Sequence, residues 1–244
     1  MDSFQIVGHR GCLVAEPENT VRSFDRAVEV GVDVLELDVR LSRDGELVVM
    51  HDATVDRTTD GHGAVADLDW SQLSALDAGK GERVPRLGEV LTAFPTIDFQ
   101  VEIKDPAAID QVLELLRSCA DRTGVVTITS FRAAPVAAAL APTDRTWRAG
   151  LICGPKEAAK LDTAVELGVD HLFVHWDVAD EPQVAQFAER HKPVDVWPAE
   201  DPATVRRAID RGFAGTTSDD PEMAVRARQD HLERLAQPTA SPIA

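Results

Sequence analysis

The stretch VLELDV (34–39) decides the fold. It is short and rich in Val and Leu, the composition of a strand. Side chains alternate between the two faces of a strand, so Leu35, Leu37 and Val39 share one face and Glu36 and Asp38 the other. Seven more runs of this kind occur: FQIVG (4–8), DFQVEIK (98–104), VVTITS (125–130), WRAGLI (147–152), HLFVH (171–175), PVDVW (193–197) and FAGTTS (213–218). Helical patterns lie between most of them. In NTVRSFDRAVEVG (19–31), Val21, Phe24, Ala27 and Val28 recur at helical spacing, and Gly31 stands where a C-cap belongs. IDQVLELLRSC (109–119), PKEAAKLDTAVELG (155–168), EPQVAQFAERH (181–191) and DPATVRRAIDRG (201–212) read likewise.

Eight strands alternating with helices predict a parallel α/β sheet with right-handed crossovers. At 244 residues a closed TIM-type (β/α)8 barrel, which commonly needs about 250, is favoured over an open sheet. The open alternative usually carries a Gly-rich dinucleotide turn, and no G-x-G-x-x-G occurs. We expect a single barrel domain over 1–235 and a disordered Pro/Ser/Ala-rich tail over 236–244. One stretch, about 44–86, breaks the rhythm with an extra β-type run, ELVVM (46–50), and then Asp/Gly/Thr-rich sequence. It is too long for an ordinary connection and reads as a small insertion after the second strand, over one end of the barrel.

Composition narrows the function. Lys and Arg number 25 against 42 Asp and Glu, so the formal net charge is 25 − 42 = −17. A surface that tracks nucleic-acid phosphates or anionic membrane needs clustered cations, so both are excluded. No apolar run approaches the roughly 18 residues of a membrane span. The start, MDSFQIVGHRG (1–11), lacks the cationic-then-apolar pattern of a secretory leader. Cys12, Cys119 and Cys153 have neither disulfide nor zinc spacing, and read as small buried hydrophobes in a reducing compartment. The expected location is cytoplasmic. No sequence signal fixes the oligomeric state.

The polar residues fall at strand ends. The first strand ends in Gly8-His9-Arg10-Gly11, the second carries Glu36 and Asp38, the next long run carries Glu102 and Lys104, and the extra run ends at His51-Asp52. With Leu35, Leu37 and Val39 facing the helices, the carboxylates face the barrel axis near the rim where such barrels do chemistry. Buried carboxylates are costly unless paired, hydrogen-bonded or bound to a cation. Three oxygen ligands suit a hard divalent ion, Mg²⁺ or Ca²⁺. His9 and His51 can serve as acid and base, and Arg10 and Lys104 can meet a phosphate. Together these are the parts for cleaving a phosphodiester. His62, His171, His175, His191 and His231 read as surface or core residues, His175 having the best case for a pocket. Asp60, Asp67, Asp69 and Asp77 read as a solvated face of the insertion.

Several segments together resemble the glycerophosphodiester phosphodiesterase family along nearly the whole chain. They are GHRG (8–11), PENT (17–20) with Phe24, ELDV (36–39) followed by RDG, HD (51–52), DRTTDGHG (56–63), VP-x-L (84–87), EIK (102–104), SF (130–131), and Trp197 with GFAGTTSDDP (212–221). The resemblance implies metal-dependent hydrolysis of small-molecule diesters, such as glycerophosphocholine or glycerophosphoethanolamine, to an alcohol and glycerol 3-phosphate. It implies Glu36, Asp38 and Glu102 as metal ligands, His9 and His51 as the acid/base pair, and Arg10 and Lys104 as phosphate-neutralising groups. Phe131 and Trp197 would wall the glycerol carbons, Glu18 would shape the site near His9, and Asp52 would orient His51. The chain departs from the family after Trp197, where Pro198-Ala199-Glu200 replaces a Thr-Val-Asn-like stretch. Two rivals remain: a phospholipase D-like barrel acting on lysolipids or another phosphodiester, and a non-catalytic phosphate-ligand binder on the same fold.

Overall fold

The β-type runs form strands that close into one cylinder in the computed structural model, which describes residues 4–119 and 121–236. The strands are β1 (Gln5–Gly8), β2 (Val34–Leu41), β3 (Leu47–Val49), β4 (Asp98–Ile103), β5 (Val126–Ser130), β6 (Arg148–Cys153), β7 (His171–His175), β8 (Val194–Trp197) and β9 (Gly215–Ser218). All but β3 are parallel, and the pairing of β1 with both β2 and β9 shuts the barrel. β3 pairs antiparallel with the end of β2, outside the eight-stranded ring. The expected TIM-type barrel is therefore the observed fold. Of the tail expected over 236–244, residues 237–244 lie outside the described residues.

The helices are α1 (Val21–Val30), α2 (Trp70–Leu73), α3 (Leu87–Ala93), α4 (Ile109–Ser118), α5 (Ala133–Leu140), α6 (Ala159–Leu167), α7 (Pro182–Glu189), α8 (Pro202–Asp210) and α9 (Pro221–Ala236). Their ends follow local chemistry. The Thr20 side chain accepts from the Ser23 N–H at the start of α1, and Gly31 ends it at φ 89°, a conformation that favours glycine. Asp201 caps α8 in the same way, with Pro202 in its first turn. Helix α5 escaped the pattern reading because AAPVAAAL has no polar face to set a period. Leu35, Leu37 and Val39 are fully buried in the main core, under the helix layer that includes Phe24 and Ala27 of α1. Among the described residues no helix is long and apolar enough to cross a membrane.

The stretch over 44–86 has a small core of its own. Val48, Met50, Val55, Val65, Leu73, Ala78 and Val84 form a buried cluster apart from the main one. Its aspartates do more than face solvent. Asp60 Oδ1 accepts from the Asp77 N–H at 2.8 Å, Asp77 Oδ1 accepts from the Gly79 N–H at 2.7 Å, and Asp69 pairs with Arg43. Carboxylates that tie successive turns keep an aperiodic segment in one shape.

Candidate active site

The site begins with register. Asp38 of β2 lies directly beside Glu102 of β4, and Glu36 beside Gln100. All three carboxylates are buried, and one oxygen from each lies within 4.8 Å of the others. Burial, then the Asp38 charge, pushes the Glu36 carboxyl up to about 8. Burial also raises Glu102, against the pull of Lys104. For Asp38, burial is outweighed by Lys104 and Arg10, which hold its carboxyl below the usual range. Asp38 Oδ1 is buried without a hydrogen bond; Lys104 Nζ stands 3.2 Å from it but off the bonding direction. A crowded, partly unsatisfied set of carboxylate oxygens fits a divalent cation.

The turn after β1 brings a cation, Arg10, as the end of β4 brings Lys104. Arg10 has φ 51° and Gly11 φ 90°, and the Arg10 N–H donates to Glu36 Oε2 at 2.8 Å. Arg10 Nε lies 3.2 Å from Asp38 Oδ2, and its Nη1 donates to Glu18 Oε1 at 2.8 Å. A Cβ on Gly11 would stand 2.4 Å from Ser23 Oγ and 2.6 Å from Ser23 backbone, in addition to the strain of its φ. Gly11→Ala should therefore lower the melting temperature by roughly 5–10 °C. Calorimetry checks this; an unchanged midpoint would mean that the turn tolerates a side chain.

Each of the two candidate histidines leans on a carboxylate. His9 Nδ1 lies 2.5 Å from Asp219 Oδ1, and its Nε2 lies 4.0 Å from Glu36 Oε2. Burial lowers the His9 pKa, but the Asp219 hydrogen bond and the Glu36 charge outweigh it, and the net direction is up. His51 Nδ1 lies 2.7 Å from Asp52 Oδ1, and burial takes its pKa down. These contacts assign the Nδ1–H tautomer to both rings when neutral. Asp52 is itself held by Arg57, whose Nε donates to Asp52 Oδ2 and whose Nη1 donates to Glu18 Oε2, both at 2.7 Å. Arg57 thus joins the insertion to Arg10 through Glu18.

His9, Arg10, Glu36, His51, Glu102, Lys104, Phe131 and Trp197 all line one cavity of about 580 Å³ at the C-terminal end of the barrel, and Asp38 lies beneath it. The sequence-selected residues are therefore brought together. Phe131 meets Trp197 edge to face at 6.0 Å, and Lys104 Nζ lies 5.7 Å from the Phe131 ring. His175 packs on Trp197 at 5.0 Å, while its Nδ1 accepts from the Asp177 N–H, so it supports the wall. His171 is buried far from the rim, 2.9 Å from Asp195.

The model of the glycerophosphoryl diester phosphodiesterase family matches residues 9–223. The chain belongs to this family. It is 46% identical over 111 residues to a glycerophosphodiester phosphodiesterase of Caldanaerobacter subterraneus, covering 43% of this chain and 46% of that protein. It is 36% identical over 121 residues to a glycerophosphodiester phosphodiesterase of Bacillus subtilis, covering 43% of this chain and 41% of that protein. These matches span less than half the length of the curated relatives. A solved structure of an Oleispira antarctica phosphodiesterase, in complex with the product sn-glycerol-3-phosphate, superposes with a TM-score of 0.83 at 25% identity, over 92% of this chain and 96% of that one.

Within this glycerophosphoryl diester phosphodiesterase barrel, three partners were not assigned from sequence. Asp219 sits 210 residues from His9 and reaches it only because β9 closes against β1. Asn19, buried in the PENT segment, donates from Nδ2 to Asp38 Oδ2 at 2.9 Å. Arg57 lies in the DRTTDGHG segment, which carried a resemblance but no role. Each is polar, without a period, and has at least one partner a long way along the chain (Asp38 for Asn19, His9 for Asp219, Glu18 for Arg57), so spacing alone could not reveal it.

Proposed function

We propose that this protein hydrolyses glycerophosphodiesters to an alcohol and glycerol 3-phosphate. The observation that carries this reading is the convergence on one cavity of three buried carboxylates, two histidines backed by carboxylates, and two cationic side chains. Glu36, Asp38 and Glu102 would hold a divalent cation, Mg²⁺ or Ca²⁺. Bound there, the cation supplies Lewis-acid charge against phosphoryl oxygen. The chain's side chains do the rest.

Arg10 and Lys104 meet the negative charge that the phosphoryl oxygens carry and gain in the transition state. Asp219 and Asp52 each take the Nδ1–H of a histidine, which turns the two Nε2 atoms over to the reaction. One imidazole removes the proton of the attacking oxygen as the new P–O bond forms. That oxygen is either water, which gives glycerol 3-phosphate directly, or the substrate's free glycerol hydroxyl, which gives a cyclic phosphate that water then opens to glycerol 3-phosphate. The other gives a proton to the alcohol oxygen as the old P–O bond breaks. Phe131 and Trp197 offer the glycerol carbons an apolar wall. We read 1–235 as one such domain, with the insertion at about 44–86 supplying His51. The three free cysteines are in keeping with a cytosolic place of action.

The test is turnover of glycerophosphocholine and glycerophosphoethanolamine with Mg²⁺, with Ca²⁺ and after exhaustive chelation. Metal-supported release of glycerol 3-phosphate is expected. Turnover confined to micellar lysolipids would favour the phospholipase D-like alternative. A thermal shift with glycerol 3-phosphate, without turnover of any diester, would favour the non-catalytic binder.

A further inference from the structure

The inner wall of the cavity and its rim differ in kind. Ile152 and Phe173 are buried in the wall, whereas the rim carries three exposed side chains, Val14, 66% exposed, Asp219 and Glu200. Glu200 follows β8, opposite β4 and its Glu102 in the ring of strands, and Val14 follows β1 on the other side of β9.

Each other carboxylate that lines the cavity is engaged. Glu36 accepts from the Arg10 N–H, Glu102 pairs with Lys104, Asp219 holds His9, and Asp220 accepts from the Met223 N–H in the first turn of α9. Glu200 has no hydrogen bond and no ion pair among the described residues. Its backbone approach is nevertheless fixed. The buried Ala199 donates its N–H to Thr217 O and accepts from Ser218 Oγ, both at 2.8 Å, and Pro198 O accepts from Trp176 Nε1 at 2.9 Å. An unpaired carboxylate is thus held at the mouth of a cavity read as taking an anionic diester. It opposes such a ligand unless the ligand brings a positive charge to it. Alkyl groups on that cation would also gain from covering Val14.

The glycerol phosphate half is common to every substrate and belongs at the enclosed wall, which leaves the variable alcohol to the rim. Resting on the diesterase reading above, we propose that Glu200, aided by Val14, selects diesters whose leaving alcohol carries an alkylammonium group over those with a neutral alcohol.

The experiment compares kcat/KM for glycerophosphocholine, glycerophosphoethanolamine and glycerophosphoglycerol, with saturating divalent metal, in wild type, Glu200→Gln and Glu200→Lys. Wild type should favour the two cationic diesters over glycerophosphoglycerol by about fivefold or more, the scale of a partly screened charge contact. The preference should shrink in 0.5 M salt, vanish in Glu200→Gln and invert in Glu200→Lys. The exposed position leaves the melting temperature of both variants close to that of wild type, which checks folding. A preference unchanged in Glu200→Gln overturns the proposal. So does an equal loss on all three substrates, because the carboxylate would then serve the shared glycerol. Turnover without any charge preference overturns this proposal alone, while turnover of none of the three overturns the diesterase reading and this proposal with it.

Discussion

Alanine at His51 is expected to lower kcat on glycerophosphocholine by roughly a hundred- to ten-thousandfold, the range for losing a positioned acid or base. The fold should hardly notice. The His51 side chain is 32% exposed, and its one hydrogen bond among the described residues is to Asp52, a carboxylate that keeps Arg57 as a partner. His9→Ala should cost a similar factor in kcat. Here some stability should go as well, because Asp219 loses the hydrogen bond that holds its carboxyl below the usual range. Asp219→Asn separates orientation from proton transfer: the imidazole stays while its Nδ1 partner changes. A smaller loss in kcat with an altered pH–rate profile is expected, and little change in KM. Steady-state kinetics with melting curves read all four quantities. Less than a tenfold loss of kcat in either alanine variant would remove that residue from proton transfer.

The second large effect concerns the carboxylates themselves. Stripped of divalent metal, the protein should lose thermal stability as pH rises from about 4.5 toward about 8. The sign follows from Glu36, whose carboxyl is raised in the fold from 4.5 to about 8, first by burial and then by Asp38. The folded state then prefers the neutral group more than the unfolded chain does. That contribution is fully present below the unfolded pKa and is lost as pH climbs through the folded one. Adding Mg²⁺ or Ca²⁺ should raise the melting temperature most at the alkaline end, where the carboxylates proposed to hold it are already deprotonated. Glu36→Gln should flatten the pH dependence of the stripped protein, abolish most of the metal-induced shift and abolish turnover. Melting curves across pH, with and without chelator, decide the matter. A metal-induced shift that survives intact in Glu36→Gln would count against a shared ion.

How much of this was legible in the sequence depends on what each signal consists of. Glu36, Asp38 and Glu102 were legible because a strand has a fixed period and a barrel interior leaves few outlets for charge. The pairing of β2 with β4 then turned two separate patterns into one cluster. The small core of the 44–86 stretch was not legible. Val48, Met50, Val55, Val65, Leu73, Ala78 and Val84 are spaced too irregularly to register as a period; only short elements such as β3 and the one-turn α2 carry any of them, and turn-tying aspartates hold the segments between. Asp219 and Arg57 stood in plain sight within recognisable segments, yet their partners are set by tertiary closure. Glu200 was visible only as a departure. Its meaning waited on knowing that the neighbouring carboxylates already have partners.

The seam between β1 and β9 has a kinetic consequence. The His9–Asp219 contact crosses it, and Arg228 of α9 clasps the same region by donating to Phe4 O at 2.9 Å and pairing with Asp33. Contacts between the two extremes of a chain form against the largest loop-closure entropy, so they form late. During refolding, catalytic competence should therefore return after the tryptophan fluorescence signal, with a lag that reports the docking of the final strand. Joining the two chain ends through a linker and opening the chain elsewhere would convert that long-range closure into a local one and shorten the lag.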